Sequence, residues 1–199
     1  LTETAPDAFT GTPLAYNEVA KSASPAYRSE DGVLFRGNTL MYFPAEKSAR
    51  GYAIPATTTA VAEGAFLGIG SFSEEEAFEI PASVQSIGDF AFAGCGFEAL
   101  TFKGQAGNIG GVTVGNYAFS ETSVRTVSYE ENSNVTTLGR GAFKGCTYLS
   151  EIEIPANMTR VGDEAFAGCG YYFADYYDMP LTVTIAEGEP ITFASNVFT

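Results

Sequence analysis

The chain has 199 residues, of which 45% are hydrophobic, and it carries 10 Lys and Arg, 24 Asp and Glu, and no His. Its net charge of −14 argues against nucleic acid and anionic lipid as partners, because both need a basic footprint. The lack of histidine removes Ser-His-Asp and Cys-His catalysis, and no apolar run approaches the roughly 18–20 residues of a membrane span. We therefore expect neither nucleic-acid binding nor direct membrane insertion.

An Ala-Phe pair recurs along the chain and marks an internal repeat. From Phe66 the successive steps are 26, 27, 24 and 23 residues, so the unit has about 23 residues plus small insertions. A unit of this size cannot bury its apolar side alone, and stacked units predict a solenoid with one hydrophobic spine. The repeat phenylalanines are Phe9, Phe66, Phe92, Phe119, Phe143 and Phe166, with a weaker match at Phe198.

Each repeat is predicted to begin with a short strand that ends at a proline. In "LSEIEIP", Ile152 and Ile154 share one face and Glu151 and Glu153 the other, which is typical of a half-buried strand. In three repeats this proline precedes the repeat phenylalanine by eleven residues. Proline cannot donate to a ladder, so we expect the strand to stop there.

The second half of the repeat is predicted to be another extended piece followed by a turn. In "VQSIGDFAF", Val84 and Ile87 supply further apolar contacts. Gly88, Gly139 and Gly162 are predicted to permit a tight bend before a short helical or 3₁₀ turn that carries Ala-Phe. The whole chain is thus predicted to be a β-rich solenoid of seven partial or complete turns.

Three cysteines occupy one position of the repeat. Cys95, Cys146 and Cys169 each follow the repeat phenylalanine by three residues, where other units have Ile69 and Thr122. A position that accepts these types is a small buried slot, so we interpret the cysteines as core residues with free thiols. A metal site is disfavoured because the chain has neither His nor C-x-x-C spacing. A Cys146–Cys169 disulfide has suitable nominal spacing, but parallel side chains in a stack point the wrong way.

The outward positions of the predicted strands form two columns of short side chains. Such columns lack the aromatic and arginine content of an interaction hot spot, so no central binding groove is predicted. Glu151 and Glu153 are interpreted as solvated sheet positions rather than a glycosidase pair. The first column is Ala53, Glu79, Thr101, Ser128, Glu153 and Thr184, and the second is Ala77, Ala99, Thr126, Glu151 and Thr182.

Exposed aromatic residues are expected in one insertion, at residues 170–180. There Tyr171, Tyr172, Tyr176 and Tyr177 crowd together with Asp175. Tyrosines outside the repeat pattern can anchor a partner, so this cluster is the predicted binding site. The alternative is that these rings cover an end of the spine or fill the core of a loop.

The pattern "LxxIxIPxxVxxIGxxAFxGCxx" resembles the leucine-rich repeats of the Treponema pallidum type, found in BspA-like bacterial surface proteins. The resemblance implies a leucine-rich repeat right-handed superhelix of short strands and turns, without a catalytic motif or cofactor. Residues 31–55 are similar to the β-hairpin that such proteins insert between repeats, with strands Val33–Phe35 and Thr39–Phe43 around Arg36-Gly37-Asn38. The expected organisation is a single domain, 1–199, with the inserted hairpin at about 31–45.

The resemblance also implies a function and a location. It predicts a non-enzymatic protein-binding module of adhesion type, exported to the bacterial cell surface or secreted, with an extracellular or host protein as partner. "LTETAPDAF" aligns with the middle of a repeat, so we expect a longer polypeptide, with its leader upstream of Leu1. Two alternatives stay open: a structural spacer that displays another domain, and a glycan-binding module that uses the same tyrosines.

Overall fold

A computed structural model describes residues 26–70, 72, 77–107, 110–170, 181–188 and 190–198. The strands in these ranges are β1 Tyr27–Glu30, β2 Val33–Arg36, β3 Thr39–Tyr42, β4 Ala60–Val61, β5 Phe78–Ile80, β6 Ser86–Ile87, β7 Ala99–Phe102, β8 Val112–Val114, β9 Thr126–Tyr129, β10 Val135–Leu138, β11 Glu151–Ile154, β12 Arg160–Val161, β13 Thr182–Ile185 and β14 Thr192–Phe193.

The strands form two columns that run along the stack of repeat units, here called rungs. A nine-stranded sheet, the long sheet, has the order β1-β2-β3-β4-β6-β8-β10-β12-β14 and is parallel from β3 onward. The other column, the split sheet, consists of the parallel sets β5-β7-β9 and β11-β13. Repeat units in parallel register thus build a strand-rich solenoid.

The long sheet begins with antiparallel strands. β2 pairs with β3 through Arg36↔Thr39, and Gly37 makes the turn at a φ of 56°. These strands lie where the sequence places Val33–Phe35 and Thr39–Phe43. β1 adds a third antiparallel strand, which pairs with β2 from Tyr27↔Arg36 onward. β3 then runs parallel to β4, so the hairpin region and the repeats share one sheet.

The repeat phenylalanines stack face to face in the interior. Phe66, Phe92, Phe119, Phe143 and Phe166 are all at most 2% exposed, whereas Phe9 lies outside the described residues. The rings of Phe92 and Phe119, for example, have centroids 5.1 Å apart and planes within 1° of parallel. The stack continues to Phe43 at one end, 5.1 Å from Phe66, and to Phe198 at the other, 5.9 Å from Phe166. Phe43 is preceded by Tyr42 rather than by alanine, so the Ala-Phe pattern does not predict that it belongs to the stack.

The Ala-Phe segments are turns, and the prediction of a short helical or 3₁₀ piece is wrong, since no described residue is helical. The reason is the use of the backbone N–H groups. Within one rung Ala93 donates to Phe90 O at 3.1 Å, as a 3₁₀ turn would. The N–H groups on either side of Ala93 donate to the next rung instead: Phe92 N–H to Ala118 O at 2.7 Å, and Gly94 N–H to Ser120 O at 2.8 Å.

The glycines before these turns are required by space rather than by backbone freedom. Gly88, Gly139 and Gly162 precede the turns where the bends are predicted, but they are absent from the described residues with positive φ. A Cβ at Gly139 would lie 2.6 Å from the carbonyl carbon of Gly115, and one at Gly162 would lie 2.7 Å from Arg140 N. Glycine at this position therefore lets the backbones of adjacent rungs touch.

Candidate binding surface

The sequence predicts a binding site at the tyrosine cluster of residues 170–180. Tyr171, Tyr172, Tyr176, Tyr177 and Asp175 all lie outside the described residues. Among the described residues, the candidate surface is the outward face of the split sheet.

The three cysteines lie in the hydrophobic core. Cys95, Cys146 and Cys169 are free and at most 5% exposed. Each thiol donates to the carbonyl of the repeat phenylalanine in the preceding rung, as Cys95 does to Phe66 O at 3.0 Å. Burial raises the pKa of the Cys95 thiol far above its ordinary value. These hydrogen bonds link adjacent rungs within the core, and the raised pKa makes the Cys95 thiol a poor nucleophile.

The outward face of the split sheet carries the two predicted columns of side chains. Thr101 pairs in register with Glu79 on one side and Ser128 on the other. In the second set of strands, Glu151 pairs with Thr182 and Glu153 with Thr184. Except for Thr101 and Ala99, which are half-buried, the column residues are exposed.

The split sheet is interrupted where the sequence places proline. Where the ladder is intact, the residue after the strand donates to the preceding rung: Lys103 N–H to Ile80 O at 2.9 Å, and Glu130 N–H to Phe102 O at 3.0 Å. Pro81 and Pro155 occupy this position where the ladder is missing, and they have no N–H. β5 accordingly has no partner strand at residues 52–54, and β9 is not laddered to β11.

Each interruption coincides with an open cleft on this face. The first, of about 710 Å³, has small or apolar walls that include Ala53, Ala77 and Phe78, with Glu79 and Lys103 at its margin. The second, of about 360 Å³, lies across β9 and β11. It shares lining residues with a cleft of about 610 Å³ around the turn after β9. The sequence predicts no groove on this face from the types of its outward side chains. The clefts arise instead where neighbouring strands are not paired.

The two cleft regions differ in charge. Lys103 lies between Glu79, at 3.2 Å, and Glu130. These hydrogen bonds raise the pKa of Lys103, and the one from Lys103 lowers the pKa of Glu130. Glu151 and Glu153, at the β9–β11 interruption, form no ion pair among the described residues. The second cleft is therefore the more acidic.

Two tyrosines in the walls of the clefts have buried hydroxyls without a hydrogen bond in the described structure. Tyr52 lines the first cleft and Tyr129 the cleft after β9. Burial raises the pKa of both phenols. A buried hydroxyl without a partner costs about 1–3 kcal/mol. The sequence gives no signal for this, because both tyrosines stand at positions that other rungs fill with apolar residues.

Comparison with known proteins identifies the family. A model of the BspA type leucine-rich repeat region matches residues 59–178 in six copies. The chain belongs to this family. No curated protein matches this BspA-type chain.

Solved structures of bacterial leucine-rich repeat proteins are similar to this chain. One from Eubacterium ventriosum ATCC 27560 is 22% identical, with a TM-score of 0.65, over 86% of this chain and 42% of its own. A leucine rich cell surface protein from Faecalibacterium prausnitzii A2-165 is 21% identical, with a TM-score of 0.46, over 82% and 40%. The BspA-type chain thus spans less than half the length of these neighbours. No helix in the described part of it is long and apolar enough to cross a membrane.

Proposed function

We propose that this chain is a non-enzymatic protein-binding module of a bacterial surface protein, and that the split sheet carries the binding face. The observation that supports this most directly is the pair of clefts at the Pro81 and Pro155 interruptions. Ligand sites are usually concave and largely apolar with a few polar groups. The first cleft has this character, with Ala53 and Ala77 leaving room and Lys103 and Glu79 at the margin.

The chemistry of the described residues favours binding over catalysis. No group of three or more Cys, Asp or Glu among them could hold a metal ion. The carboxylate with a lowered pKa nearest the clefts, Glu130, is exposed and paired with Lys103, which is typical of a surface ion pair. Nothing in this set pairs a nucleophile with a base.

A blocking substitution tests the binding face. Ala77→Arg places a long charged side chain in the first cleft. Thr113→Arg is the matched control, because Thr113 is exposed on β8 in the long sheet. Purified variants would be applied to a panel of immobilised host extracellular proteins and to epithelial cells. We expect Ala77→Arg to reduce binding at least tenfold and Thr113→Arg to leave it unchanged. Equal loss in both variants, or none in Ala77→Arg, would contradict the proposal.

The rival function is a spacer that displays another domain, and the same assay addresses it. A spacer predicts that the unmodified chain binds nothing on the panel. The location has its own test: antibodies raised against the chain should label intact cells of the source bacterium, and labelling only after lysis would refute a surface location.

The tyrosine segment remains a second candidate contact within this proposal. Replacing Tyr172, Tyr176 and Tyr177 with alanine should weaken binding of any partner that uses residues 170–180. If the triple variant binds like the parent while Ala77→Arg does not, the split sheet alone carries the contact. Protection of tyrosine fluorescence by added sugars would instead favour glycan binding.

A further inference from the structure

A second surface lies along the turns, two residues before each repeat phenylalanine. The residue there has a positive φ in every described rung of the series: Gly64 at 61°, Phe90 at 54°, Tyr117 at 55°, Gly141 at 58° and Glu164 at 56°. Gly64 N–H donates to Asp89 O, and Phe90 N–H donates to Asn116 O, so these residues occupy equivalent places in successive rungs. Glycine suits this conformation best, yet two rungs carry an aromatic ring.

The two rings form an exposed stack outside the core. Phe90 and Tyr117 have centroids 5.2 Å apart and planes within 9° of parallel. On the far side, a Cβ at Gly141 would meet the ring of Tyr117, so that face of Tyr117 lies over the backbone. On the near side the equivalent residue is Gly64, which has no side chain to cover Phe90. Phe90 is 41% exposed.

The surroundings of Phe90 are acidic and partly apolar. Glu63 and Asp89 precede Gly64 and Phe90, and they occupy equivalent positions in adjacent rungs. Asp89 accepts hydrogen bonds from the backbone N–H of Asn116 at 2.7 Å and from its side-chain amide at 3.0 Å. Neither carboxylate forms an ion pair among the described residues. Leu67, in the same turn as Gly64, is 42% exposed.

We propose that the Phe90–Tyr117 stack is a docking platform for an arginine or lysine side chain of a protein partner. The face of an aromatic ring attracts a cation, two unpaired carboxylates next to it add to that attraction, and Leu67 offers contact to the aliphatic stem. The net charge of −14 steers a basic partner toward the chain. This platform is separate from the clefts of the split sheet, and it does not depend on them.

The test uses a peptide probe and its uncharged isostere. The whole chain is titrated with Ac-Gly-Arg-Gly-amide and, separately, with the citrulline peptide of the same shape. The aromatic ring resonances are followed by NMR. We expect saturable shifts of the Phe90 and Tyr117 resonances with the arginine peptide and none with the citrulline peptide. Added salt should weaken the binding, because the carboxylates are exposed. Equal response to both peptides, no response of these rings, or a larger response to a methyl glycoside would overturn the proposal.

Two variants separate the ring from the carboxylates. Phe90→Gly removes the platform while placing at this position the residue that Gly64 and Gly141 already supply, and it should abolish the response of Tyr117. Glu63→Gln keeps the rings and should weaken binding by about two- to fivefold. Glu46→Gln, which removes an exposed charge from the hairpin region, is the control and should bind like the parent. If Phe90→Gly does not fold, Glu63→Gln against Glu46→Gln decides, and equal affinities would refute the platform.

Discussion

The long sheet and the split sheet are built from the same rungs, yet only the long sheet is continuous. From β3 to β14 every described rung contributes a strand to the long sheet. The split sheet loses its ladder before β5 and between β9 and β11, where Pro81 and Pro155 stand in the donor position. At both interruptions, proline thus removes one backbone N–H from the split sheet. The long sheet holds the register, and the split sheet is free to form clefts.

The largest expected effect is on what both sheets share, the phenylalanine stack. Phe119→Ala removes a fully buried ring that stacks on Phe92 and Phe143, and should lower the free energy of unfolding by about 3–5 kcal/mol. Phe198→Ala is the control, because that ring is 53% exposed and stacks on Phe166 at the end of the series. Its cost should be below about 1.5 kcal/mol. Urea titration of both variants measures the difference, and equal losses would mean that the stack is not the core.

A smaller effect is expected where adjacent rungs touch. Gly139→Ala places a Cβ against the backbone of Gly115 and should destabilise the chain by about 1–3 kcal/mol, as overpacking does. Gly70→Ala is matched to it, because a Cβ there meets nothing within 4 Å and the φ of Gly70 is not positive. That variant should be neutral or more stable by up to about 1 kcal/mol. Thermal unfolding compares the two, and a tolerated Gly139→Ala would show that the rungs can separate at little cost.

The proline comparison can be tested by restoring the donor. Pro155→Ala places at residue 155 the amino acid that the next rung has at the same position, Ala186. The N–H of Ala186 donates to Ile154 O at 3.0 Å. The new N–H should bond to Tyr129 O, which contributes about 0.5–1.5 kcal/mol. The lost proline rigidity offsets this by about 0.4–1 kcal/mol. Stability should therefore change little, while hydrogen exchange shows a protected amide at residue 155.

Pro190→Ala controls for the loss of rigidity alone, because Pro190 is exposed and outside both sheets. It should be slightly destabilised. If the amide at residue 155 exchanges as fast as an exposed one, proline is not the cause of the split sheet.

The architecture was predictable because its determinants repeat within the chain. The spacing of Phe66 to Phe166 and the alternation in β11 indicate stacked rungs with one strand ending at Ile-Pro. The interruption was not predictable, since a proline at the end of a strand matters only when the neighbouring rung offers a carbonyl to it. The Phe90–Tyr117 platform was missed for a related reason. Its position holds Gly, Phe, Tyr, Gly and Glu in successive rungs, and only the positive φ reveals that these residues are equivalent.

The smallest expected effect concerns the ion pair at the margin of the first cleft. Lys103 lowers the pKa of Glu130, so this contact stabilises the fold above the ordinary carboxyl pKa and is lost as the pH falls through the lowered value. The raised pKa of Lys103 matters at high pH: its contribution to stability is present below the ordinary lysine pKa and disappears as the pH rises through the raised value.

Lys103→Met should return the Glu130 pKa to its usual range, measured by NMR titration of the side chain. Glu98, which pairs with Arg125, is the internal control. A Glu130 pKa that stays low in Lys103→Met would assign the shift to the second cause, the N–H of Gly104, which donates to Glu130 at 3.1 Å. In that case the turn after β7, rather than the lysine between the rungs, would set the charge at the edge of the cleft.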